Sequence, residues 1–566
     1  MRGQILKISG ILFVLVPALI YCYAVDKFAI NIPNADEYDF ALSWLIQTLT
    51  STSEGLMYFL FHQANEHRIY TYFLAVFSDY YFFGELNFRH LIIFGNLGMI
   101  GLLYVLFRLS HLRVNDLLFF APVILFVLVP QQSILNWGLV SINFIYPNLM
   151  VMASLYLLSK SGWKNFIPAA FLAIIVTFSV GSGMFVYLCG FLVLFLKDTR
   201  NWQDFPIWAI IMIVSVTFYF FGYKPTHNMD LIPGLLQDPF ALFQFVFVFF
   251  GNIISPILRW NMLLITLTGL IVLLYFGYLL FFKWKLLKKY SAALAFLFFI
   301  LLSAGAAAIT RAKFGVGGAL VNRYLLNQFL FIAVLYIVSF NIFRLGGIGK
   351  KVFMLVLACS MALYGWRVVG NMNMMNHFKS RLQQGLISYY NMDDTTSFLY
   401  TRQDRAVWLI NTGRESDIYH PPTISELNPE VQLLDREIPE DTDNELKYRI
   451  DKVDDATDRL QVRGWAFLKA DNHKNQKIGI VLKSDSLTCC YSTMGDVRPG
   501  VDRIFKKLYP DLPKRCGYIF ILYKNIAGIP PGNYQVGIYV EKDKIIKAIK
   551  YLDVFTDIPS SHSRIN

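Results

Sequence analysis

Continuous apolar runs fill the first two thirds of the chain, and short alternating runs fill the last quarter. The continuous runs lie near residues 11–25, 90–108, 116–130, 144–159, 165–180, 183–196, 206–222, 241–257, 262–282, 292–310, 325–343 and 352–369. They are unbroken rather than alternating, which excludes a membrane β-barrel, and most approach the length of a bilayer-crossing helix. The run at 241–257 holds Gly251, Asn252 and Pro256, so it is expected to be re-entrant or interfacial rather than to cross. No small-x-small cleavage pattern follows the first run, which therefore reads as an uncleaved span. Beyond residue 371 the pattern changes. Residues 371–390 read as an amphipathic helix leaving the membrane, and the chain is polar from about 421, with an acidic stretch from Asp435 to Asp458. Alternating segments follow at Leu460–Phe467, Lys477–Leu482, Thr488–Ser492, Tyr518–Leu522, Tyr534–Val540 and Ile546–Val554, punctuated by turn formers such as Pro530-Pro531-Gly532. They predict a small antiparallel β-sandwich. The expected division is a membrane domain over 1–370, a linker over 371–420 and a β-domain over 421–566.

Composition supports a membrane chain. Hydrophobic residues make up 55% of the 566 residues, charged residues only 16%, and the mean hydropathy is +0.46. A water-soluble fold of this size needs more polar surface, and a disordered chain needs less hydrophobicity. Six cysteines do not make a disulfide scaffold, although one pair among Cys489, Cys490 and Cys516 could be oxidised in the β-domain. With the N-terminus in the cytoplasm, the inner loops collect Arg2, Lys7, Arg108, Arg113, Lys160, Lys164, Lys197, Arg200, Lys283, Lys285, Lys288, Lys289, Arg344, Lys350 and Lys351. This asymmetry sets the orientation and accounts for most of the +12 net charge, so no nucleic-acid partner is implied. About eleven spans result, with the C-terminal domain outside the cytoplasm.

The outer loops carry the candidate chemistry. The first, over 27–88, places Asp36, Glu37 and Asp39 just beyond the first span. Crowded carboxylates at a membrane surface invite a proton or a divalent cation. One of them could also deprotonate an acceptor hydroxyl. The same loop contains Asn65-Glu66-His67-Arg68-Ile69, in which Arg68 could grip a phosphate and His67 could orient an acid or ligate a metal. A late outer loop carries Arg311, Lys313 and Arg323-Tyr324 against the positive-inside bias, which points to an anionic lipid phosphate or pyrophosphate. Segments 131–146, with Trp137, and 179–183 could line a cavity, with Trp137 stacking on a sugar. The loop 222–239, with His227 and Asp230, could act as a lid.

Taken together, these elements resemble bacterial integral-membrane glycosyltransferases of the GT-C fold class. The likeness is to the branch whose first loop reads Asp-Asp-Trp followed by Asn-Glu-His-Arg-Ile. Asp36 matches the first acid. Glu37 stands where a second Asp is usual, and Tyr38 where Trp is usual. Asn65 to Ile69 match throughout, and Arg311, Arg323 and Tyr324 match the late element. The resemblance implies a multi-pass protein of the bacterial cytoplasmic membrane, with a polyprenyl-phosphate sugar donor, a polysaccharide or lipid-linked glycan acceptor and contact with membrane lipids. The tail, with Arg463-Gly464-Trp465-Ala466-Phe467, is similar to β-sandwiches appended to surface-polysaccharide enzymes.

On this reading Arg311, Arg323 and Arg68 hold the donor phosphate, and Asp36 or Glu37 takes the acceptor proton. Asp39, Glu66, His67, Asn65, Lys313, Tyr324 and Trp137 complete the candidate site. A divalent cation is possible but not required, because arginines can neutralise the phosphate. Two other classes stay open: a transporter, flippase or polymerase of lipid-linked glycans, and a non-catalytic glycan-binding scaffold.

Overall fold

A computed structural model gives the architecture. It describes residues 2–566 apart from 52–54, 56–58, 198–200, 225–238, 256–260, 312–314, 344–346, 391–399, 424–432, 435–445, 457–458, 470–475, 497–500, 502–503, 506–507, 510–511, 513–515, 525–528, 544 and 559–566. The chain divides into two compact units, Met1–Pro421 and Pro422–Asn566.

The first unit is helical. Its described helices longer than eight residues are α1 (Arg2–Phe28), α2 (Tyr70–Phe83), α3 (Phe88–Leu109), α4 (Leu117–Val127), α5 (Gly138–Leu158), α6 (Trp163–Ser179), α7 (Phe185–Leu196), α8 (Asp204–Phe220), α9 (Pro239–Gly251), α10 (Met262–Phe282), α11 (Ser291–Arg311), α12 (Leu325–Phe343), α13 (Gly347–Tyr390) and α14 (Gln403–Glu415). Seven stretches are long and apolar enough to cross a membrane: those centred on α1, α3, α5, α10, α11, α12 and α13. The outward faces of these and neighbouring helices carry large apolar side chains. Leu19 is 67% exposed, Phe171 62% and Phe281 85%. Water would not tolerate such a surface over so many helices, whereas lipid suits it.

Short connections thread the bundle antiparallel, so its ends sort into two faces. One face carries the cations at the ends of α3, α5, α7 and α10. The other carries the C-terminal ends of α6, α8, α9 and α11 and the N-terminal ends of α5 and α12. Close packing inside relies on small residues. A side chain on Gly251 would strike the Ile265 carbonyl, and one on Gly269 would strike the Phe247 carbonyl. This glycine pair lets α9 and α10 touch backbone to backbone.

Helix α9 has thirteen residues and is followed by a 3-10 turn at Asn252–Ile254. At 1.5 Å per residue it spans about 20 Å, short of a hydrocarbon core of about 30 Å. The carbonyls of that turn are capped from α13, whose buried Arg367 donates to the oxygens of Asn252 (3.1 Å) and Ile253 (2.5 Å). Helix α13 has 44 residues, so the last apolar run and the amphipathic segment 371–390 form one continuous rod of about 66 Å. No proline interrupts it.

The second unit contains two antiparallel sheets. Its strands are numbered after a two-residue hairpin in the first unit, β1 (Gln63–Ala64) and β2 (His67–Arg68). They are β3 (Leu433–Leu434), β4 (Leu446–Asp455), β5 (Arg459–Leu468), β6 (Gln476–Lys483), β7 (Thr488–Ser492), β8 (Met494–Asp496), β9 (Gly517–Tyr523), β10 (Gly532–Lys542) and β11 (Ile545–Ile558). The sheet orders are β11-β10-β6-β7-β3 and β4-β5-β9-β8. Leu460, Val462 and Phe520 of the second sheet share one core with Ile480, Leu482, Val536 and Ile538 of the first. Strand β4 falls within the acidic stretch. Its inward positions Leu446, Tyr448, Ile450 and Val453 are apolar, but a bulge between Ile450 and Lys452 interrupts the alternation. Among the described residues Cys489, Cys490 and Cys516 form no disulfide, and they sit in three separate apolar clusters. Successive residues on a strand point to opposite faces, which keeps Cys489 and Cys490 apart and leaves the expected oxidised pair unformed.

Candidate functional site

A cavity of about 620 Å³ opens at the end of the bundle opposite the cationic face. The first loop, the β1–β2 hairpin, the start of α5, the α6–α7 turn and the ends of α8, α9, α11 and α12 all contribute to its wall.

Asp36 faces into this cavity. Its backbone turn is set by Ala35, which adopts a left-handed φ of +48°, unusual for a residue with a side chain. Burial raises the Asp36 pKa, the Arg323 guanidinium pulls it down, and the Asp39 charge pushes it up. Arg311 and Arg323 also line the cavity. Tyr324 is nearly buried between Phe144 and Phe249 and carries the Arg323 guanidinium 5.7 Å from its ring centre.

The hairpin supplies Asn65, Glu66 and His67. Gln63 pairs with Arg68 and Ala64 with His67, while Asn65 turns the chain at φ +50°, a conformation Asn tolerates. The His67 ring lies against Gly181, where an added Cβ would come within 2.7 Å of Nδ1. A glycine in the α6–α7 turn is therefore required for the imidazole to reach the cavity. Burial lowers the His67 pKa, Glu66 raises it, and Arg311 and Arg323 lower it further. The imidazole is accordingly held toward its neutral form. Trp137 also lines the cavity, and its indole Nε1 is buried without a partner, as is Asn143 Oδ1 nearby.

Three predicted residues do not line the cavity. Glu37 is 1% exposed. Its Oε2 accepts from the Asn34 N–H (2.9 Å), and its Oε1 accepts from the Leu139 N–H (2.9 Å) and the Tyr72 hydroxyl (3.2 Å). The carboxyl thus caps the N-terminus of α5 from outside that helix, a place where the helix dipole favours negative charge. Burial outweighs these donors and pushes the Glu37 pKa up to about 8. Asp39 lies on a π-helical turn, Tyr38–Ser43, and is bound by the Tyr400 hydroxyl (2.7 Å) and Arg405 Nε (2.8 Å). It anchors α14. Arg68 is buried, and its guanidinium donates to the carbonyls of Phe61, Tyr219 (2.8 Å) and Phe221 (2.6 Å). It closes the C-terminus of α8, so its donors are committed to backbone rather than to a phosphate. Lys313 lies outside the described residues, as do His227 and Asp230.

Among the cavity residues not singled out from the sequence are two polar ones on helices α11 and α12. Asn327 lines the wall and accepts from Asn148 Nδ2 (2.7 Å), and Ser303 lies on α11. A polar residue inside an apolar run is the signal that marks Asn327. Among the described residues, no group of three or more His, Cys, Asp and Glu side chains is arranged to hold a metal ion. Among the described residues, the permanent positive charge lining the cavity comes from the two guanidiniums.

Comparison with protein-family models, with curated proteins and with solved structures finds no match to this chain.

Proposed function

We propose that this is a membrane glycosyltransferase of the GT-C kind, with about eleven spans, α9 re-entrant and the cavity on the extracytoplasmic face. On this reading it takes a sugar from a polyprenyl-phosphate donor and places it on a surface glycan. The observation that carries the proposal is a carboxylate, Asp36, that lines one cavity together with Arg311 and Arg323, the latter acting on its charge. Short α9, packed on the first half of α10, returns the chain to the face it left, which gives the odd number of spans.

The geometry supports a single displacement. The donor enters from the lipid past the apolar side of the cavity, where Phe249, Ala306 and Ala307 lie. An acceptor hydroxyl attacks the anomeric carbon. The new bond forms from that oxygen, the bond to the phosphate oxygen breaks, and the phosphate leaves with both bonding electrons. Asp36 takes the hydroxyl proton, and the two guanidiniums stabilise the departing charge. A displacement of this kind inverts the anomeric centre. Glu66 and neutral His67 hydrogen-bond and orient the acceptor, and Trp137 offers a ring face and an N–H to the sugar.

The test is surface-glycan composition by mass spectrometry in cells with the intact protein, without it, and with Asp36→Asn at matched expression. Loss of one sugar in both altered strains supports the proposal. A glycan changed by deletion and untouched by Asp36→Asn removes Asp36 from the chemistry and favours a transporter or scaffold.

A further inference from the structure

A second concave site lies on the cationic face, far from the cavity. It is a cleft of about 120 Å³ bordered by His111, Tyr156, Lys160, Lys197, Lys288 and Lys289. Four separate chain segments bring these side chains together. We propose that this cleft binds a phosphate group, either the headgroup phosphate of an anionic phospholipid or a free phosphate anion.

The floor is fixed and neutral in sum. The Lys197 ammonium is 6% exposed and bonded to Asp204 Oδ2 at 2.9 Å, and Asn201 donates to the other oxygen at 3.0 Å. Three further ammonium groups stand around it, and none has a carboxylate partner among the described residues. Aromatic rings orient two of them. Lys160 sits 4.9 Å from the Tyr156 ring centre, and Lys288 lies 6.0 Å from that of Trp284. His111 is held at the rim by a left-handed backbone, φ +52°, with its ring edge-on to Tyr290 at 5.6 Å. Burial and the charge of Lys160 depress its pKa, so it offers a hydrogen bond without adding charge.

Positive-inside topology explains cations on this face, but not their convergence on a cleft, where their repulsion is greatest. A bound anion relieves that repulsion. The donor set selects its chemistry. Ammonium groups from several directions suit a compact tetrahedral anion, and among the described residues the lining lacks the planar arginine fork that grips carboxylates. The cleft also lies at the helix ends, at the depth of a leaflet's headgroups, where basic pockets between helices bind phospholipid.

The test uses the full-length protein in nanodiscs and by native mass spectrometry. Lys160→Gln/Lys288→Gln/Lys289→Gln empties the cleft of its free cations. Lys164→Gln/Lys283→Gln/Lys285→Gln removes the same charge from the same face outside the cleft. Phosphatidylglycerol is compared with phosphatidylcholine, and inorganic phosphate is titrated separately. The expected result is that the cleft variant loses roughly tenfold or more in affinity while the control variant stays near the parent. Retained phosphatidylglycerol identifies the lipid as the source, whereas binding of inorganic phosphate without lipid preference identifies the free anion. Equal behaviour of the two triple variants overturns the proposal. Lys289→Glu alone, at an exposed side chain, provides the same comparison if the triple variant is unstable.

Discussion

Three acids within four residues have three different tasks, and the difference lies in burial. Asp36 faces the cavity, Glu37 caps α5, and Asp39 holds α14. Their proximity in sequence made them look interchangeable. The turn at Ala35 and the π-helical register that follows decide which way each points, and neither can be read from residue types. Glu37 yields a prediction with a definite sign. Its folded pKa of about 8 lies above the ordinary 4.5, so the folded state keeps a proton that the unfolded chain releases. Stability from this group is fully present below about pH 4.5 and is lost as pH rises toward 8, by an amount on the order of a few kcal/mol. Glu37→Gln removes that slope. It also sets an amide N–H against the Asn34 or Leu139 N–H, at a pH-independent cost of about 1–3 kcal/mol. Thermal unfolding in detergent between pH 5 and 8 should show the parent's midpoint falling relative to a flat Glu37→Gln profile. Parallel profiles would mean the carboxyl stays ionised. Asp36→Asn, by contrast, should leave the melting temperature within a degree or two of the parent while, on the proposed function, sugar transfer falls by about 100-fold or more. A large drop in stability would assign Asp36 a structural task as well.

Helix ends present a different problem, because a carbonyl left open within a bilayer has no water to meet it. Several described helices stop short of a full span, and at two of them, α8 and α9, an arginine from a distant segment closes carbonyls at or just past the last turn. Arg68 closes α8, and Arg367 closes α9. The stop in α9 was legible, since Gly251, Asn252 and Pro256 break the run. Its partner was not, because Arg367 looks like a stray cation within an apolar run until the fold places it beside Asn252. The continuity of α13 was missed for the opposite reason. Composition changes at 371, but no proline stops the backbone there, and a helix follows its hydrogen bonds rather than its hydropathy. Arg367→Met should destabilise the membrane unit by about 2–4 kcal/mol, because it opens two buried carbonyls while keeping the stem's bulk. Arg367→Lys should recover part, because both bonds come from one nitrogen, Nη2, which an ammonium on a shorter stem can only partly replace. Size-exclusion profiles after graded heating would rank the three proteins. A stable methionine variant would show that water already satisfies those carbonyls.

On the scale of the whole molecule, parity does much of the work that motifs do in soluble enzymes. Antiparallel threading puts alternate loops on one face, and the described parts of the loops predicted to lie outside contribute to one cavity wall. That gathering was legible from run spacing and charge alone. What could not be read was which members of each loop turn inward, and so Arg68 was grouped with Arg311 and Arg323 although only the latter two reach the cavity. The gathering also couples distant parts of the chain electrically. Arg323, just before α12, pulls down the pKa of Asp36, just after α1, against the upward push of burial. If Asp36 is the base, the rate of sugar transfer by the purified protein rises with pH as Asp36 loses its proton. Removing the guanidinium leaves burial unopposed, so Arg323→Gln should move the acid limb of the profile to higher pH as well as lower its plateau. Arg323→Lys keeps the charge and should keep the limb near its place while losing the bidentate hold on phosphate. The two effects separate in one experiment, since limb position reports the charge and plateau height reports the grip. A glutamine variant with a lowered plateau and an unmoved limb would mean that Arg323 serves the donor alone and that the proton goes to a group it does not reach.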